Sequence, residues 1–197
     1  MPEWIWPVLV LVVGGVAAIK LGRLRATSLR KVGSKSPGFA LLNQHGEMKH
    51  AGLLDGIWHV LYFYPRDDTP GCTLEACGFR DAWDELKEMG VRVFGVSYDD
   101  EASHLAFAEK YELPFDLLAN PTGRVVKEWG AKAPVPGIAL RVSYLIDGDG
   151  MIRKVYPKVS DAAAHAAEII ADVRALRGDA PSAMLEDDPE LSREVES

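Results

Sequence analysis

The sequence predicts a layered α/β fold preceded by a transmembrane helix at the N-terminus. From Phe39 onward, segments with the pattern of strands alternate with segments with the pattern of helices. Such alternation is typical of domains in which helices pack on the faces of a central sheet. An apolar stretch lies before this region. The chain has 197 residues, of which 48% are hydrophobic and 26% are charged, and this suits one globular domain with appendages.

The first element is the apolar stretch Trp4–Ile19, which contains no charged side chain. A membrane-spanning helix takes about 17–25 residues, so the stretch is at the short end of that range, and Leu21 can extend it. We expect an uncleaved transmembrane anchor over residues 1–21, in contact with the lipid bilayer through residues 4–21. A cleaved signal peptide is the alternative. It would need a basic start, and the only charged residue before the stretch is Glu3.

The segments that flank the predicted domain carry opposite charge. Residues 22–37 follow the apolar stretch, are rich in Arg and Lys, and are expected to form a basic juxtamembrane tether. The positive-inside rule then predicts a single-pass anchor with the folded domain, residues 38–177, facing the cytoplasm. At the other end, residues 178–197 are strongly acidic and contain few large apolar groups, which predicts a disordered, solvated tail.

Within the domain, each element follows from its local pattern. Continuous apolar runs such as Ile57–Tyr64 predict buried strands, while apolar residues at helical spacing predict amphipathic helices. Gly90 and Pro114 end helices, and the Asp147–Gly150 segment predicts a hairpin turn. The predicted strands are Phe39–Asn43, Glu47–His50, Ile57–Tyr64, Val91–Tyr98, Phe115–Ala119, Arg141–Ile146 and Met151–Tyr156. The predicted helices are Cys72–Met89, Glu101–Glu112, Thr122–Trp129 and Asp161–Leu176.

Both cysteines of the chain lie where the Ile57–Tyr64 strand gives way to the following helix. The free N–H groups of a first helical turn and the helix dipole favour an anion at that position. A thiol there loses its proton more easily than a free cysteine, and the thiolate is the reactive form. Two cysteines are too few for a disulfide framework or an all-cysteine zinc site. Cys72 is therefore expected to be a nucleophile rather than an inert buried thiol.

The residues around this cysteine resemble a known signature. Pro65, Thr69 and Cys72 match the peroxiredoxin pattern Pro-x-x-x-Thr-x-x-Cys, and Cys77, five residues further on, resembles the bacterioferritin-comigratory-protein (PrxQ) subfamily. This resemblance covers about residues 33–177. It implies a thioredoxin-like fold of the peroxiredoxin type, with a central mixed sheet flanked by helices.

The resemblance also implies an activity and a role for each site residue. Cys72 would reduce a hydroperoxide and become a sulfenic acid, and Cys77 would resolve it as a disulfide. Thr69 would position the peroxide oxygen, and Pro65 would shield the thiolate from water. Arg141 begins a segment similar to the family's Arg-x-x-Phe-Leu-Ile-Asp, with Tyr in place of Phe, and would stabilise the thiolate. Thioredoxin or a similar dithiol protein would recycle the enzyme.

The spacing of the two cysteines limits when they can bond. In a regular helix, residues five apart have α-carbons about 8.7 Å apart, whereas a disulfide needs less than about 7 Å. A Cys72–Cys77 disulfide therefore requires the first turns of the helix to unwind. The alternative is that Cys77 is a small core residue and that an outside thiol resolves Cys72.

Other classes of function are less favoured. The acidic body of the domain argues against a nucleic-acid partner, and the five histidines show no metal-ligand spacing. No cofactor and no metal are expected, and the expected partners are a hydroperoxide, a dithiol reductant and the bilayer, with the chain as a monomer. Two alternatives remain open, a membrane-tethered thiol–disulfide oxidoreductase and a non-catalytic redox-sensing module. The choice between hydrogen peroxide and bulkier hydroperoxides also stays open.

Overall fold

The computed structural model describes residues 28–178, which form a mixed sheet with helices on both faces. The strands are β1 (Ala40–Asn43), β2 (Met48–His50), β3 (Trp58–Phe63), β4 (Val91–Ser97), β5 (Asp116–Ala119), β6 (Val142–Ile146) and β7 (Ile152–Tyr156). The helices are α1 (Pro70–Asp81), α2 (Trp83–Glu88), α3 (Glu101–Tyr111), α4 (Arg124–Glu128) and α5 (His165–Arg177), and a short 3₁₀ helix spans Ala51–Leu54. Every predicted strand of the domain is present, and so is every predicted helix except Cys72–Met89, which is divided in two; the other boundaries differ by a few residues.

The seven strands are arranged in the order β2-β1-β5-β4-β3-β6-β7. The pairs β3–β4 and β4–β5 are parallel, and the other pairs are antiparallel. This confirms the predicted central mixed sheet. Strand β3 lies between β4 and β6, so both of its edges are paired and both of its faces are covered. A strand in that position is expected to be mainly apolar, which explains the run at Ile57–Tyr64, in which His59 is the one residue with an ionisable side chain other than tyrosine.

The two faces of the sheet bury two separate cores. Along β3, Val60 and Tyr62 contribute to one core and Leu61 and Phe63 to the other, as the two-residue repeat of a strand requires. The first core also receives buried side chains from α1, α2, α3 and α5. The second core receives those of α4. Cys72 belongs to the first core.

The predicted helix Cys72–Met89 is two helices in the structure. The first, α1, begins at Pro70, because the fixed φ of proline suits the first helical position and its missing N–H would have no intrahelical partner there. The chain leaves helical geometry at Ala82, and α2 then begins with Asp84 and Glu85 in its first turn, where carboxylates stabilise the positive end of a new helix.

The predicted membrane anchor needs correction. Across the stretch from residue 28 to residue 178, no helix is both long enough and apolar enough to cross a bilayer. The longest, α5, has 13 residues, whereas a span needs about 20. The predicted anchor over residues 1–21 lies outside the described residues, as do residues 22–27 of the predicted tether and nearly all of the predicted tail. The described residues thus form a thioredoxin-like fold that contains no membrane-spanning helix, and the single-pass membrane location with a cytoplasmic domain is withdrawn.

Candidate active site

Cys72 lies in the first turn of α1, directly after the loop that leaves β3. Its side chain is almost fully buried, with 1% exposed. The first helical hydrogen bond, from Thr73 N–H to the carbonyl of Thr69 at 2.8 Å, holds the turn around it. The sulfur is thus at the positive end of a helix, as the sequence predicts.

Sheet pairing brings Arg141 to this sulfur. Strand β6 runs antiparallel to β3, with Val142 opposite Phe63, so the residue before β6 lies where β3 ends. Arg141 Nη2 donates to Cys72 Sγ at 3.2 Å. A side chain on Gly71 would place its Cβ only 3.1 Å from the same nitrogen, so glycine is what allows the guanidinium to approach the thiol. The positive charge beside the sulfur stabilises the anion.

Glu75 completes this group, and the sequence reasoning missed it. The carboxyl group is fully buried one turn after Cys72 and accepts a hydrogen bond from Arg141 Nη1, so that the two arms of the guanidinium hold the carboxylate and the sulfur. Burial raises the pKa of Glu75 to about 7, although Arg141 opposes this by its charge and its hydrogen bond. A polar residue three positions after Cys72 shares its helix face, and this spacing was the available signal.

Thr69 and Pro65 lie in the loop but do not touch the sulfur through hydrogen bonds. Thr69 caps α1 with extended backbone, and its hydroxyl donates to the carbonyl of Arg66 at 3.1 Å. Among residues 28–178, it makes no hydrogen bond to Cys72. Pro65 is half-buried immediately after β3. The roles expected for these two residues stay predictions.

Cys77 lies in the same helix as Cys72, is half-buried, and carries a free thiol. The helix is continuous between the two cysteines, so their α-carbons are too far apart for a disulfide in this conformation. The structure therefore corresponds to a reduced state. Within the described part of the chain, no group of three or more His, Cys, Asp or Glu side chains could hold a metal ion.

The sequence has relatives among known proteins. Residues 32–155 match the AhpC/TSA family. The chain is 44% identical over 147 residues to a putative peroxiredoxin bcp of Coxiella burnetii, covering 71% of this chain and 96% of that one. It is also 45% identical over 125 residues to the chloroplastic peroxiredoxin Q of Triticum aestivum, covering 63% of this chain but only 58% of that longer one.

Solved structures show the same similarity in three dimensions. Peroxidoxin BcpB from Mycobacterium tuberculosis superposes with a TM-score of 0.70 at 33% identity, over 75% of this chain and 98% of that one. A mutant of PrxQ from Xylella fastidiosa gives a TM-score of 0.71 at 25% identity, over 76% of this chain and 99% of that one. Both similarities cover about three quarters of this chain.

Proposed function

Because the chain belongs to the AhpC/TSA family, as a peroxiredoxin and hence a thiol-dependent peroxidase, we propose that Cys72 is the residue that attacks the hydroperoxide. The observation that carries this proposal is the 3.2 Å contact from Arg141 Nη2 to Cys72 Sγ at the start of α1. The N-terminal end of α1 and the guanidinium of Arg141 both act on the same atom, the sulfur of Cys72. Cys77, the other cysteine among residues 28–178, accepts no hydrogen bond from a cationic side chain.

In the first chemical step, the Cys72 thiolate attacks the distal oxygen of the hydroperoxide. The S–O bond forms while the O–O bond breaks, so the sulfur is oxidised to a sulfenic acid and the peroxide is reduced. The leaving oxygen departs as hydroxide or alkoxide and takes up a proton to give water or an alcohol. Negative charge grows on that oxygen during the step, and Arg141 is placed to stabilise it.

In the second step, the Cys77 thiol attacks the sulfenic sulfur of Cys72, which forms the disulfide and releases water. The two sulfurs can meet only when α1 has unwound, because the intact helix holds them too far apart. A dithiol reductant such as thioredoxin then attacks the exposed disulfide and returns both residues to thiols. The half-buried position of Cys77, close to the surface of α1, supports this role.

We propose that alkyl hydroperoxides are substrates together with hydrogen peroxide. The chain resembles the Xanthomonas campestris bacterioferritin comigratory protein, whose structure was solved for insight into its alkyl peroxide reduction activity, at 27% identity and a TM-score of 0.65 over 70% of this chain and 91% of that one. Two exposed apolar side chains also flank the reactive pair in sequence. Leu74 follows Cys72 by two residues, and Leu140 precedes Arg141. Of the two, we propose Leu140, which is next to Arg141 in the chain, as a contact for the alkyl group, because residues two apart in a helix do not share a face.

A coupled assay tests this function. The purified protein is mixed with thioredoxin, thioredoxin reductase and NADPH, and NADPH oxidation is followed after addition of hydrogen peroxide or tert-butyl hydroperoxide. We expect oxidation that depends on both the protein and the peroxide. Absence of peroxide consumption with thioredoxin and with a small dithiol such as dithiothreitol would overturn the proposal. Turnover with dithiothreitol alone would retain the peroxidase and reject thioredoxin as its reductant.

A further inference from the structure

The loop between β3 and α1, residues 64–69, is held mainly by contacts outside α1, and Asp67 is its principal anchor. This carboxylate is 92% buried, with 8% exposed. Its Oδ1 atom accepts from the hydroxyl of Tyr64 at 2.7 Å. Its Oδ2 atom accepts from the hydroxyl of Ser103 and from Nδ1 of His104, each at 2.8 Å. Because an ionised carboxylate only accepts hydrogen bonds, the Nδ1 atom of His104 must carry the proton.

The backbone of the same residue is also fixed. The N–H of Asp67 donates to Oδ2 of Asp99 at 2.9 Å, and the hydroxyl of Ser97 donates to that oxygen at 2.7 Å. Asp99 follows β4, and the next residue, Asp100, caps α3 by accepting from the N–H of Ser103 at 2.9 Å. The end of β4 and the first turn of α3 therefore form one frame that holds Asp67 by both its main chain and its side chain.

Asp68 adds a second, outer anchor to the same helix. Its carboxylate accepts from Lys110 Nζ at 2.6 and 2.8 Å and from the hydroxyl of Tyr111 at 2.6 Å. Its backbone has a φ of 53°, in the left-handed region that non-glycine residues seldom adopt. The carboxylate is about half exposed, so solvent weakens this ion pair, and the buried Asp67 is the stronger of the two anchors.

These contacts leave α1 free to move. The groups that hold Asp67 and Asp68 belong to the loop itself (Tyr64), to the end of β4 and to α3, whereas both cysteines belong to α1. Unwinding of α1 breaks none of them. The loop and its last residue, Thr69, can therefore keep their place while Cys72 leaves its position to meet Cys77.

We propose that Asp67 is a positioning residue, which holds the loop of residues 64–69 through Ser103 and His104 so that Thr69 stays aligned for the peroxide while α1 winds and unwinds. The anchor also sets Thr69–Pro70 as the boundary at which oxidative unwinding stops. This inference rests on the proposed function, since it assumes that Cys72 reacts with peroxide. It adds that Asp67 keeps the loop of residues 64–69, through which a peroxide reaches Cys72, in the same conformation in the reduced and the oxidised protein.

The experiment compares two reactions of Cys72 in the Asp67→Asn variant. Alkylation by iodoacetamide needs only a thiolate and access to it, whereas reduction of peroxide also needs an aligned loop. We expect the second-order rate with hydrogen peroxide to fall by about tenfold or more, as small misplacements of reacting groups do, while the rate with iodoacetamide stays near that of the wild type. The matched control is Asp172→Asn, since Asp172 also accepts from a tyrosine hydroxyl, that of Tyr156 at 2.6 Å, but on the β7–α5 side.

Three further variants, at Ser103 and His104, guard against simple misfolding. Ser103→Ala removes one donor with little change of volume and should lower the peroxide rate in the same selective way, by a smaller factor. His104→Asn keeps an N–H donor near the position of Nδ1 and should retain more peroxide activity than His104→Leu. If Asp67→Asn does not fold, these variants carry the test, with the same ratio of peroxide to iodoacetamide rates as the readout.

Hydrogen exchange on the oxidised wild type completes the test. The amide of Asp67 should remain protected after oxidation, because its acceptor on Asp99 does not move with α1. Equal loss of both rates in the variants, no loss of either, or loss of protection at Asp67 on oxidation would each overturn the positioning role. A wild type that reacts with iodoacetamide but not with peroxide would instead reject the proposed function, and this inference with it.

Discussion

Arg141 Nη2 lies 3.2 Å from the Sγ atom of Cys72, although the two residues are 69 positions apart in the chain. The contact exists because β6 pairs with β3, which sets Arg141 beside the end of β3, and because the loop after β3 returns the chain to that place at the start of α1. It joins a helix end, a cation and a thiol in one place. The predictions below follow from this contact and from the helix that carries both cysteines.

The two cysteines should be separable by mutation. Cys72→Ser should abolish reaction with peroxide, because a serine hydroxyl has no anion to attack with near neutral pH. Cys77→Ser should still react once, giving a sulfenic acid that dimedone traps, and then stop. Mass spectrometry after one equivalent of peroxide measures both outcomes. Continued turnover by Cys77→Ser with thioredoxin would favour an outside thiol as the resolving group, and turnover by Cys72→Ser would reject the nucleophile.

Arg141→Met should slow the reaction with peroxide by about 10²–10³-fold, the loss typical when one donor to a developing anion is removed. Methionine keeps much of the side-chain length but brings neither charge nor donor. Stopped-flow measurement of the intrinsic fluorescence change on mixing with peroxide reports the rate. The control is Arg153→Met, because the exposed Arg153 forms an ion pair at 3.5 Å with the buried Asp147, which follows β6 whereas Arg141 precedes it. Similar losses in both variants would argue against a specific role for Arg141.

Arg141→Lys tests the two-armed geometry. Lysine keeps the positive charge but offers a single nitrogen, which cannot hold Glu75 and Cys72 along two directions as a guanidinium does. We therefore expect activity between those of the wild type and Arg141→Met. A lysine variant as active as the wild type would show that charge alone is sufficient.

The stability of the protein should depend on pH through Glu75. Burial, opposed by Arg141, raises its pKa from 4.5 to about 7. A carboxyl group with a raised pKa in the folded state contributes its stability in full below about pH 4.5 and loses it as the pH rises through about 7. Relative to Glu75→Gln, which is neutral at every pH, the unfolding free energy of the wild type should fall by on the order of 3 kcal/mol across that window.

Urea unfolding of both proteins at a series of pH values measures this difference. The Gln variant is the reference because it has nearly the same volume and hydrogen-bonding reach as the protonated glutamic acid. A difference that stays flat, or that grows in favour of the wild type as the pH rises, would show that Arg141 keeps Glu75 ionised in the folded protein.

Oxidation should unwind α1 and leave the other helices in place. Phe79 of α1 is fully buried and stacks on Tyr62 at a centroid distance of 4.8 Å. Unwinding has to release this ring. We expect amide exchange across residues 70–81 to be at least about tenfold faster in the oxidised protein, as in other local openings. Exchange across α5 is the internal control. Equal protection of α1 in both redox states would mean that no Cys72–Cys77 disulfide forms.

Local patterns in the sequence were enough to predict the strands, the helices and the position of Cys72 at a helix start. Each of these depends on residues that are neighbours in the chain, as an apolar run, a helical repeat or a proline at a first turn is. The same kind of reasoning failed at the N-terminus, where the apolar residues 4–19 and the basic residues after them led to a membrane anchor that the described helices do not support. It also missed the break at Ala82, because both α1 and α2 have helical patterns.

The family signature extended the prediction to Arg141, which local pattern alone would not have linked to Cys72. Two further partners were decided only by the tertiary structure. Glu75 shares the guanidinium of Arg141, and Asp67 meets His104 from a different element. By itself, then, the sequence determined which segments form strands and helices and where the reactive thiol lies, because these follow from contacts between neighbours. Which distant side chains meet that thiol and its loop was decided by the strand order and register, since a two-residue or helical repeat specifies a buried face but not the partner packed against it.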